Sequence, residues 1–387
     1  MKLRKSTICF LSWILIFLSG CGADPTSEIP TDCSLYQMSM DETETLEETI
    51  PDTILTEYPH TQPEETESGP NVVAITISAA GDVTLGNHQN QDYARSFNQM
   101  YDQQDSVYFL QNVKDIFSQD DFTIVNFEGV LTFAEEKQEK TYSMKGLPAY
   151  VDILTEGSVE AVGFGNNHRL DYLTKGSDDT RETFEEAGIT YAYDKITGIY
   201  TTKDISIGIV SVNEVSQGAG VEKYLQDGIE ELMEEDKCQL VIVCCHWGIE
   251  RENYPEEYQM ELGKKCIDWG ADLVLGSHPH VLQGVELYRG KFIVYSLANF
   301  CFGGNRNPVD KDTMIFQQTF TFVDDMKTED LSAKVIPCSV SSVANKNDFC
   351  PTPASGEEYD RILKRINQYS APFSVFFDEE GAYNSEE

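Results

Sequence analysis

The chain has 387 residues, of which 40% are hydrophobic and 24% are charged, and both values are ordinary for a globular protein. Its formal net charge is −38. Because binding to nucleic-acid phosphates requires a basic face, this charge argues against nucleic acid as a partner. It also means that a polyanionic ligand needs cations or a locally basic cleft.

Residues 1–21 have the layout of a secretory signal. Three early cations precede an apolar run of roughly 12 residues, which is shorter than the ~20 residues of a membrane span. The run ends in Leu18-Ser19-Gly20-Cys21, which resembles the bacterial lipoprotein signal; a short N-terminal anchor helix is the alternative. The resemblance implies that Cys21 is lipidated and that the protein is anchored on the extracytoplasmic face of a bacterial cell membrane.

Residues 22–70 are predicted to form an acidic, disordered tether. They contain 13 acidic residues and neither Lys nor Arg, so they cannot bury enough apolar surface to fold, and their charges favour an extended chain. We therefore predict a folded domain at 71–345, followed by a C-terminal extension at 346–387 that contains a helix and a tail.

From residue 72 onward, apolar strands alternate with helices. Strands are predicted in "VVAITISAAGD", "DDFTIVNFEG", "VEAVGFGNNH" and "ISIGIVSVNE". Two helix–strand units follow, ending in "VIVCCHWG" and "DLVLGSHPH", and a helix stop is predicted at Gly270. A hairpin around 288–291 and two antiparallel strands complete the pattern. The alternation predicts an α/β fold with substantial parallel sheet.

Five strand ends, taken in chain order, carry Asp, Glu, Asn or His. The residues are Asp82, Asn126 or Glu128, Asn167 with His168, His246, and His278 with His280. A single such residue is usually a cap, but ligand crevices of α/β sheets lie at the carboxyl ends of the strands, so five in order predict one shared pocket. The donors suit one or two divalent metals such as Zn, Mn or Fe. An extended His-Pro-His backbone would direct both imidazoles to the same side.

The order of these motifs resembles the calcineurin-like metallophosphatases and, more closely, the bacterial capsule-synthesis CapA family, which is associated with poly-γ-glutamate. The resemblance covers about residues 76–304, and its motifs are "AAGDVTLG", "IVNFEGVLT", "GFGNNHRLDY", "VCCHWGIE", "GADLVLGSHPHVLQGVELY" and "YSLANFCFGG". It implies a metallophosphatase-like layered αββα sandwich with mixed sheets.

The resemblance also implies a role for each site residue. Asp82 and His280 would hold a first metal, and Glu128 would bridge to a second. Asn167, His246 and His278 would hold that second metal. His168, oriented by Asp171, would act as general acid beside the substrate. Weaker candidates for lining the substrate are Asn126, which competes with Glu128 for the second motif, and Glu250, Gln283, Glu286 and Asn299.

The sequence departs from the phosphatase pattern at two positions. Thr84 stands where the pattern has a histidine two residues after the first aspartate, and Glu128 replaces the usual bridging aspartate. The first metal site is therefore expected to be weak, singly occupied or absent. His88 is a possible replacement for the missing imidazole.

Three functions are consistent with these features. The first is a surface lipoprotein that acts in the synthesis, export or anchoring of poly-γ-glutamate or a related envelope polymer. The second is a general extracytoplasmic metal-dependent phosphoesterase, and the third is a non-catalytic accessory subunit of a polymer synthase. The resemblance favours a metal-dependent hydrolase. Expected partners are the cytoplasmic membrane, membrane subunits of a polymer synthase, and an anionic polymer or a small phosphorylated substrate.

Overall fold

The structure, a computed structural model, describes residues 69–384. The predicted signal with Cys21 and residues 22–68 of the predicted tether lie outside the described residues. Within 69–384, no helix is both long enough and apolar enough to cross a membrane.

The described residues form strands and helices in the predicted alternation. The strands are β1 (Val72–Thr84), β2 (Asn87–His88), β3 (Phe122–Phe127), β4 (Val130–Leu131), β5 (Met144–Gly146), β6 (Ala161–Gly163), β7 (Thr190–Ala192), β8 (Gly198–Thr202), β9 (Ile205–Asn213), β10 (Leu240–His246), β11 (Leu273–Ser277), β12 (Val285–Tyr288), β13 (Lys291–Val294), β14 (Asn299–Phe302), β15 (Asp312–Val323), β16 (Met326–Lys327), β17 (Ser332–Ser339) and β18 (Thr352–Pro353). The α-helices are α1 (Phe97–Gln104), α2 (Val107–Leu110), α3 (Lys114–Phe117), α4 (Asp152–Glu156), α5 (Leu173–Ala187), α6 (Glu214–Gln217), α7 (Val221–Glu234), α8 (Glu257–Trp269) and α9 (Glu357–Ser370).

Two large sheets dominate the fold, and both are mixed. The first has the order β18-β17-β15-β1-β3-β6-β7, with β14 added beside β1 and β16 beside β15. Its strands β1, β3, β6 and β7 run parallel, whereas β15 and β17 pair antiparallel as predicted. The second sheet has the order β12-β13-β11-β10-β9-β8, and its β12–β13 pair is the predicted hairpin. A small third sheet has the order β2-β5-β4.

The sheets pack face to face and helices cover their outer faces. The apolar core between the sheets joins Ile77 and Ile124 of the first sheet to Ile242 and Leu275 of the second. On the outer face of the first sheet, side chains from α1 to α5 form a second core, and α7 and α8 form a third core against the second sheet. The predicted αββα sandwich with mixed sheets is therefore confirmed.

Central strands follow the pattern expected for parallel sheets that are covered on both faces. Every residue of β10 is buried, which explains why "LVIVCCH" is a continuous apolar run rather than an alternating one. Helix α8 begins with a capping box between Glu256 and Gln259 and ends at Gly270, whose φ of 122° is rarely adopted by residues with a side chain. The predicted helix stop is therefore confirmed, and the chain turns there into β11.

Helix α9 belongs to the segment predicted as a C-terminal extension, and it packs against the sheets. Its Ile362 and Ile366 are part of the core between the sheets. On the other side of the helix, Arg361 makes two hydrogen bonds of 2.5 and 2.6 Å to the carboxylate of Asp312 at the start of β15. Such a two-pronged guanidinium–carboxylate contact fixes the orientation of the helix as well as its position.

Candidate metal centre and its cavity

The strand ends that carry the predicted ligands meet at one edge of the sandwich. In the first sheet, Asp82 and Asn126 are register partners on β1 and β3, and Asn126 in turn pairs with Gly163 on β6. In the second sheet, His246 at the end of β10 pairs with Ser277 at the end of β11. Parallel strands in register end at the same edge, so polar residues far apart in sequence become neighbours.

Asp82 is fixed by a close backbone approach that needs a glycine before it. Its N–H donates to the carbonyl oxygen of Ala298 at 2.8 Å. A Cβ on Gly81 would lie 1.8 Å from that same oxygen, so no larger residue fits. The adjacent Asn299 is the register partner of Asp82 on β14. The Gly-Asp motif therefore places a fully buried carboxylate at the strand end.

Glu128 is held by the end of β1. Its N–H donates to the carbonyl oxygen of Val83 at 2.8 Å, and Thr84 Oγ1 donates to the carbonyl oxygen of Glu128 at 2.7 Å. Thr84 is buried and stands where the phosphatase pattern has a histidine. Its hydroxyl therefore positions the backbone of Glu128.

Asp82, Glu128 and His280 form a compact cluster. His280 Nδ1 lies 3.0 Å from Asp82 Oδ2, and His280 Nε2 lies 3.7 Å from Glu128 Oε1. One ligand atom from each residue lies within 4.8 Å of the other two, and no other group of three or more His, Cys, Asp or Glu among residues 69–384 meets this criterion. His88 is not part of the cluster.

The remaining predicted histidines lie beside this cluster and are linked to it through Asn126. The Asn126 side-chain amide donates to Asp82 Oδ1 at 2.8 Å and lies 3.4 Å from His246 Nδ1. His246 Nδ1 also lies 3.0 Å from Ser277 Oγ. The ring centroids of His246 and His278 are 4.8 Å apart. Asn126 thus contacts both groups and lies between them.

Buried atoms without hydrogen-bond partners are concentrated at these residues. In the described part of the chain 11 buried side-chain nitrogen or oxygen atoms lack a partner, and six of them belong to the predicted ligands. They are Asp82 Oδ2 and Glu128 Oε1 (apart from their ion pairs with neighbouring histidines), Glu128 Oε2, Asn167 Oδ1, His246 Nε2 and His278 Nδ1. Each such atom typically costs about 1–3 kcal/mol, so this concentration indicates a site that is completed by a ligand.

The charges of the histidines differ within the site. Burial opposes the charged form of His280, but the carboxylates of Glu128 and Asp82 outweigh it and raise its pKa to about 10. Burial and the neighbouring His278 lower the pKa of His246, and burial with the nearby His280 lowers the pKa of His278 to about 4. The last two rings are therefore neutral, which is the form that binds metals. Burial raises the pKa of Glu128.

His168 lies on the cavity side of Glu128 and is oriented by Asp171. Its Nδ1 donates to Asp171 Oδ2 at 2.7 Å, which leaves Nε2 at 3.5 Å from Glu128 Oε1. Asp171 is fully buried and also accepts from Lys140 Nζ at 2.5 Å and from the N–H of Met144 at 2.5 Å. Burial lowers the pKa of His168 despite Asp171. The sequence does not reveal Lys140, because its charged segment "EEKQEKTY" looks like an exposed loop.

The prediction that an extended backbone directs His278 and His280 to the same side is wrong. Neither residue is extended, since φ is 95° at His278 and 57° at His280. Their rings are nevertheless neighbours, with centroids 5.8 Å apart. The loop after β11 achieves this with an uncommon left-handed backbone, which a rule for extended chains cannot predict.

The weaker candidates divide into two groups. Asn299 accepts a hydrogen bond from His280 Nδ1 at 2.9 Å, and Glu250 lines the cavity. In contrast, Gln283 and Glu286 neither line the cavity nor contact the cluster. Gln283 bonds to Gln259 and to two backbone carbonyls, and Glu286 bonds to Tyr295 and Lys264. Their position therefore gives no support to the predicted contact with substrate.

The cluster opens into a cavity of about 680 Å³, which is lined by Glu128, His168 and His280 at its inner side. This volume lies in the range of sites for small molecules or for a segment of a chain, about 300–1,000 Å³. His88 also lines the cavity, where its ring meets Tyr142 edge-on at 5.2 Å. His88 therefore does not replace, within the cluster, the histidine that the phosphatase pattern has at the position of Thr84.

Comparisons with known proteins cover the same part of the chain. The model of the family described as "Bacterial capsule synthesis protein PGA_cap" matches residues 76–304. The "Capsule biosynthesis protein CapA" of Bacillus anthracis is 26% identical over 253 residues, which cover 59% of this chain and 60% of that protein. The "PGA biosynthesis protein CapA" of Bacillus subtilis (strain 168) is 27% identical over 254 residues, covering 59% and 63%. The match thus spans about three fifths of these relatives' length.

Two solved structures also align with the chain. The protein TT1561 of Thermus thermophilus has a TM-score of 0.38 at 12% identity, covering 63% of this chain and 94% of that one. The 5'-nucleotidase of Candida albicans has a TM-score of 0.38 at 12% identity, covering 78% and 59%. The family match at 76–304 includes every strand end of the candidate metal centre. The chain belongs to the family of bacterial capsule synthesis proteins.

Proposed function

We propose that this protein acts in the synthesis, export or anchoring of poly-γ-glutamate or a related envelope polymer, through a metallophosphatase-like site in the cavity. Membership of the capsule synthesis family supports the pathway. The observation that carries the site is the concentration of buried, unpaired donor atoms at Asp82, Glu128, Asn167, His246 and His278. These donors are carboxylate, amide and neutral imidazole groups, which together suit a divalent metal such as Mn, Zn or Fe.

Two groups of residues would hold the metal. Asp82, Glu128 and His280 would form one side, and Asn167, His246 and His278 the other. A bound divalent metal would supply Lewis-acid activation of an oxygen on the substrate or of water. His280, which is protonated between the two carboxylates in the free site, would give up one ring proton in order to serve as a ligand.

The residues around the metal centre would bind the substrate and move a proton. His168 is held in one tautomer by Asp171, so that Nε2 faces the cavity and can exchange a proton with a leaving oxygen. Because burial favours its neutral form in the free site, an anionic substrate is what would stabilise the protonated, acid form. Lys140 donates a hydrogen bond to Asp171 and thereby helps to hold the His168–Asp171 pair in position.

The proposal includes a location for the protein at the cell membrane. Lipidation of Cys21 would anchor it on the extracytoplasmic face of the cell membrane, and residues 22–70 would separate the domain from the bilayer. There it would meet membrane subunits of a polymer synthase together with the anionic polymer, or a small phosphorylated substrate. Detection of a diacylglyceryl group on Cys21 by mass spectrometry would test the anchor, and its absence from protein extracted from membranes would contradict it.

The metal content of the full-length chain tests the site directly. The wild type is expected to bind a transition metal after reconstitution, and the double variant His246→Ala/His278→Ala is expected to lose it. His88→Ala is a matched control, because His88 lines the same cavity outside the cluster. A wild-type protein that resists reconstitution with Mn, Zn and Fe would contradict a metal centre and favour the accessory role.

A deletion strain tests the pathway. Surface polymer should be lost on deletion and restored by the wild type and by Arg289→Gln, which lies outside the cavity, but not by Asp82→Ala. Restoration by Asp82→Ala would favour a non-catalytic accessory subunit. Unchanged polymer in the deletion strain, combined with phosphodiester hydrolysis that His168→Ala abolishes, would favour a general phosphoesterase.

A further inference from the structure

Among residues 69–384, the arginines are divided between ion pairs and the cavity. Within residues 69–384 there are eight arginines. Five of them lie within 4.0 Å of a carboxylate oxygen, namely Arg169, Arg181, Arg289, Arg361 and Arg365. The other three, Arg95, Arg251 and Arg306, have no such partner among the described residues, and all three line the cavity next to the candidate metal centre.

This distribution is unusual for a chain with 66 acidic and 28 basic residues. Where carboxylates are in such excess, a guanidinium readily finds one, as the five paired arginines do. Lys346 also lines the cavity and has no carboxylate partner in the described part of the chain, which gives four cations without such a partner there. The acidic residues that line it are Glu128, at its buried inner side, and Glu250. The outer part of the cavity is therefore positive on a strongly negative protein.

Backbone contacts position these cations from separate loops. Arg306 Nη1 donates to the carbonyl oxygen of Ala94 at 3.0 Å, which ties the loop after β14 to the one that carries Arg95. The N–H of Arg251 donates to the carbonyl oxygen of Pro279 at 2.8 Å. Pro279 lies between two predicted metal ligands, so this cation is attached to the loop of the metal centre itself.

An unpaired amide lies in the same cavity. Both side-chain polar atoms of Gln91 are buried without a hydrogen-bond partner. A guanidinium or ammonium group only donates hydrogen bonds, so it requires oxygen acceptors such as carboxylate or phosphate. The Gln91 amide can both donate and accept hydrogen bonds, so it could contact a neutral polar group that lies between the anionic groups of a ligand.

We propose that Arg95, Arg251, Arg306 and Lys346 form a subsite for anionic groups of the substrate, carboxylate or phosphate, beside the metal centre. The ligand class is a molecule that carries several anionic groups, of which one reaches the inner cluster while others contact the four cations. This subsite gives a chain of net charge −38 a place to hold a polyanion. Its use by an envelope polymer rests on the proposed function.

Calorimetric titration of the full-length chain tests the subsite with defined probes. A pentamer of γ-linked glutamate supplies carboxylates, its methyl ester is the neutral control, and inorganic phosphate is the second anion. The wild type is expected to bind an anionic probe and not the ester, and binding should weaken with added salt. Arg306→Gln and Arg251→Gln are each expected to weaken it by about tenfold or more.

Matched controls separate this subsite from a general effect of net charge. Arg289→Gln removes an exposed arginine outside the cavity, and Lys364→Gln removes an exposed lysine of α9 as a control for Lys346→Gln. Both controls are expected to stay within about twofold of the wild type. Binding of the pentamer with no effect of phosphate assigns the subsite to carboxylates, and the reverse assigns it to phosphate groups.

Two results would overturn the subsite. One is equal affinity of the cavity variants and the wild type for both anions, and the other is equal affinity of the wild type for the pentamer and its ester. Metal content, measured on the same samples, distinguishes this failure from failure of the proposed function. Wild-type protein that binds the anion through these arginines but takes up no metal would overturn the metal centre and leave the subsite intact.

Discussion

The buried carboxylate of Glu128 is expected to lower the stability of the metal-free protein and to be needed for metal binding. The substitution Glu128→Gln allows the two effects to be measured separately. The side chain is 1% exposed, and neither carboxylate oxygen has a hydrogen-bond partner. His280 Nε2 lies 3.7 Å from Oε1, but burial outweighs its attraction and raises the pKa of Glu128. Burial of such a group without a partner costs about 1–3 kcal/mol, and Asp82 retains its own contact with His280 when Glu128 is changed. We therefore expect the free energy of unfolding of the metal-free Glu128→Gln chain to exceed that of the wild type by about 1–3 kcal/mol.

The same substitution should weaken the effect of a metal. A ligand that binds only the folded state at 100 times its dissociation constant stabilises a protein by about 2.7 kcal/mol. Because the neutral amide removes a charged oxygen donor, the variant should gain less than the wild type at equal metal concentration. Urea denaturation with a chelator, and then with Mn²⁺ or Zn²⁺, measures both effects.

Glu286→Gln is the matched control, because Glu286 is also a buried glutamate but its oxygens contact Tyr295 and Lys264. It should lower the free energy of unfolding with and without metal, and leave the increment from metal unchanged. The interpretation of Glu128 would be refuted if the metal-free Glu128→Gln chain lost as much stability as this control. Equal stabilisation of wild type and variant by metal would equally refute its role as a ligand.

Two further substitutions test other parts of the fold. Burial raises the pKa of Glu160 to about 7, so the stability that its protonated form contributes is complete below its unfolded pKa near 4.5 and is lost as pH rises through 7. The variant Glu160→Gln keeps an acceptor for the N–H of Thr123. It should add about 1–2 kcal/mol to the free energy of unfolding at pH 8 and little at pH 4. Equal effects at both pH values in urea denaturation would contradict this. Gly81→Ala should cost about 3 kcal/mol or more and abolish metal uptake, because its Cβ would lie 1.8 Å from the Ala298 oxygen. Gly220→Ala, where a Cβ meets nothing within 4 Å, should change neither, and equal effects of the two would contradict the steric argument.

Much of the fold could be predicted because the apolar runs are unambiguous. Strand β10 is buried along its whole length, and its sequence shows one polar residue, His246, at the carboxyl end. The same pattern of an apolar run followed by a polar end locates Asp82 on β1 and His278 after β11. In parallel sheets this pattern also locates the crevice, so the sequence could predict which residues gather there.

What the sequence could not predict depends on contacts between distant residues. Glu286 and Glu128 are both buried glutamates, and only the structure shows that the carboxylate of Glu286 is hydrogen-bonded and that of Glu128 is not. The unpaired state of Arg95 and Arg306 is likewise a property of their surroundings, since other arginines of the chain are paired. Local backbone conformation was a further limit, because the left-handed φ of His278 contradicts the preference of a residue before proline.

The two departures from the phosphatase pattern are a single structural change. Thr84 and Glu128 are in direct contact, because the threonine hydroxyl donates to the glutamate carbonyl oxygen at 2.7 Å. The residue that replaces the expected imidazole thereby positions a longer carboxylate, which joins Asp82 and His280 in a cluster with ligand atoms within 4.8 Å. Relative to that pattern the cluster lacks one imidazole and keeps its number of carboxylates, since Glu128 stands for an aspartate and the Thr84 hydroxyl is used on the backbone of Glu128. Two carboxylates and one imidazole remain on that side, and because carboxylates suit harder cations than imidazoles do, a metal held there would be Mn²⁺ rather than Zn²⁺.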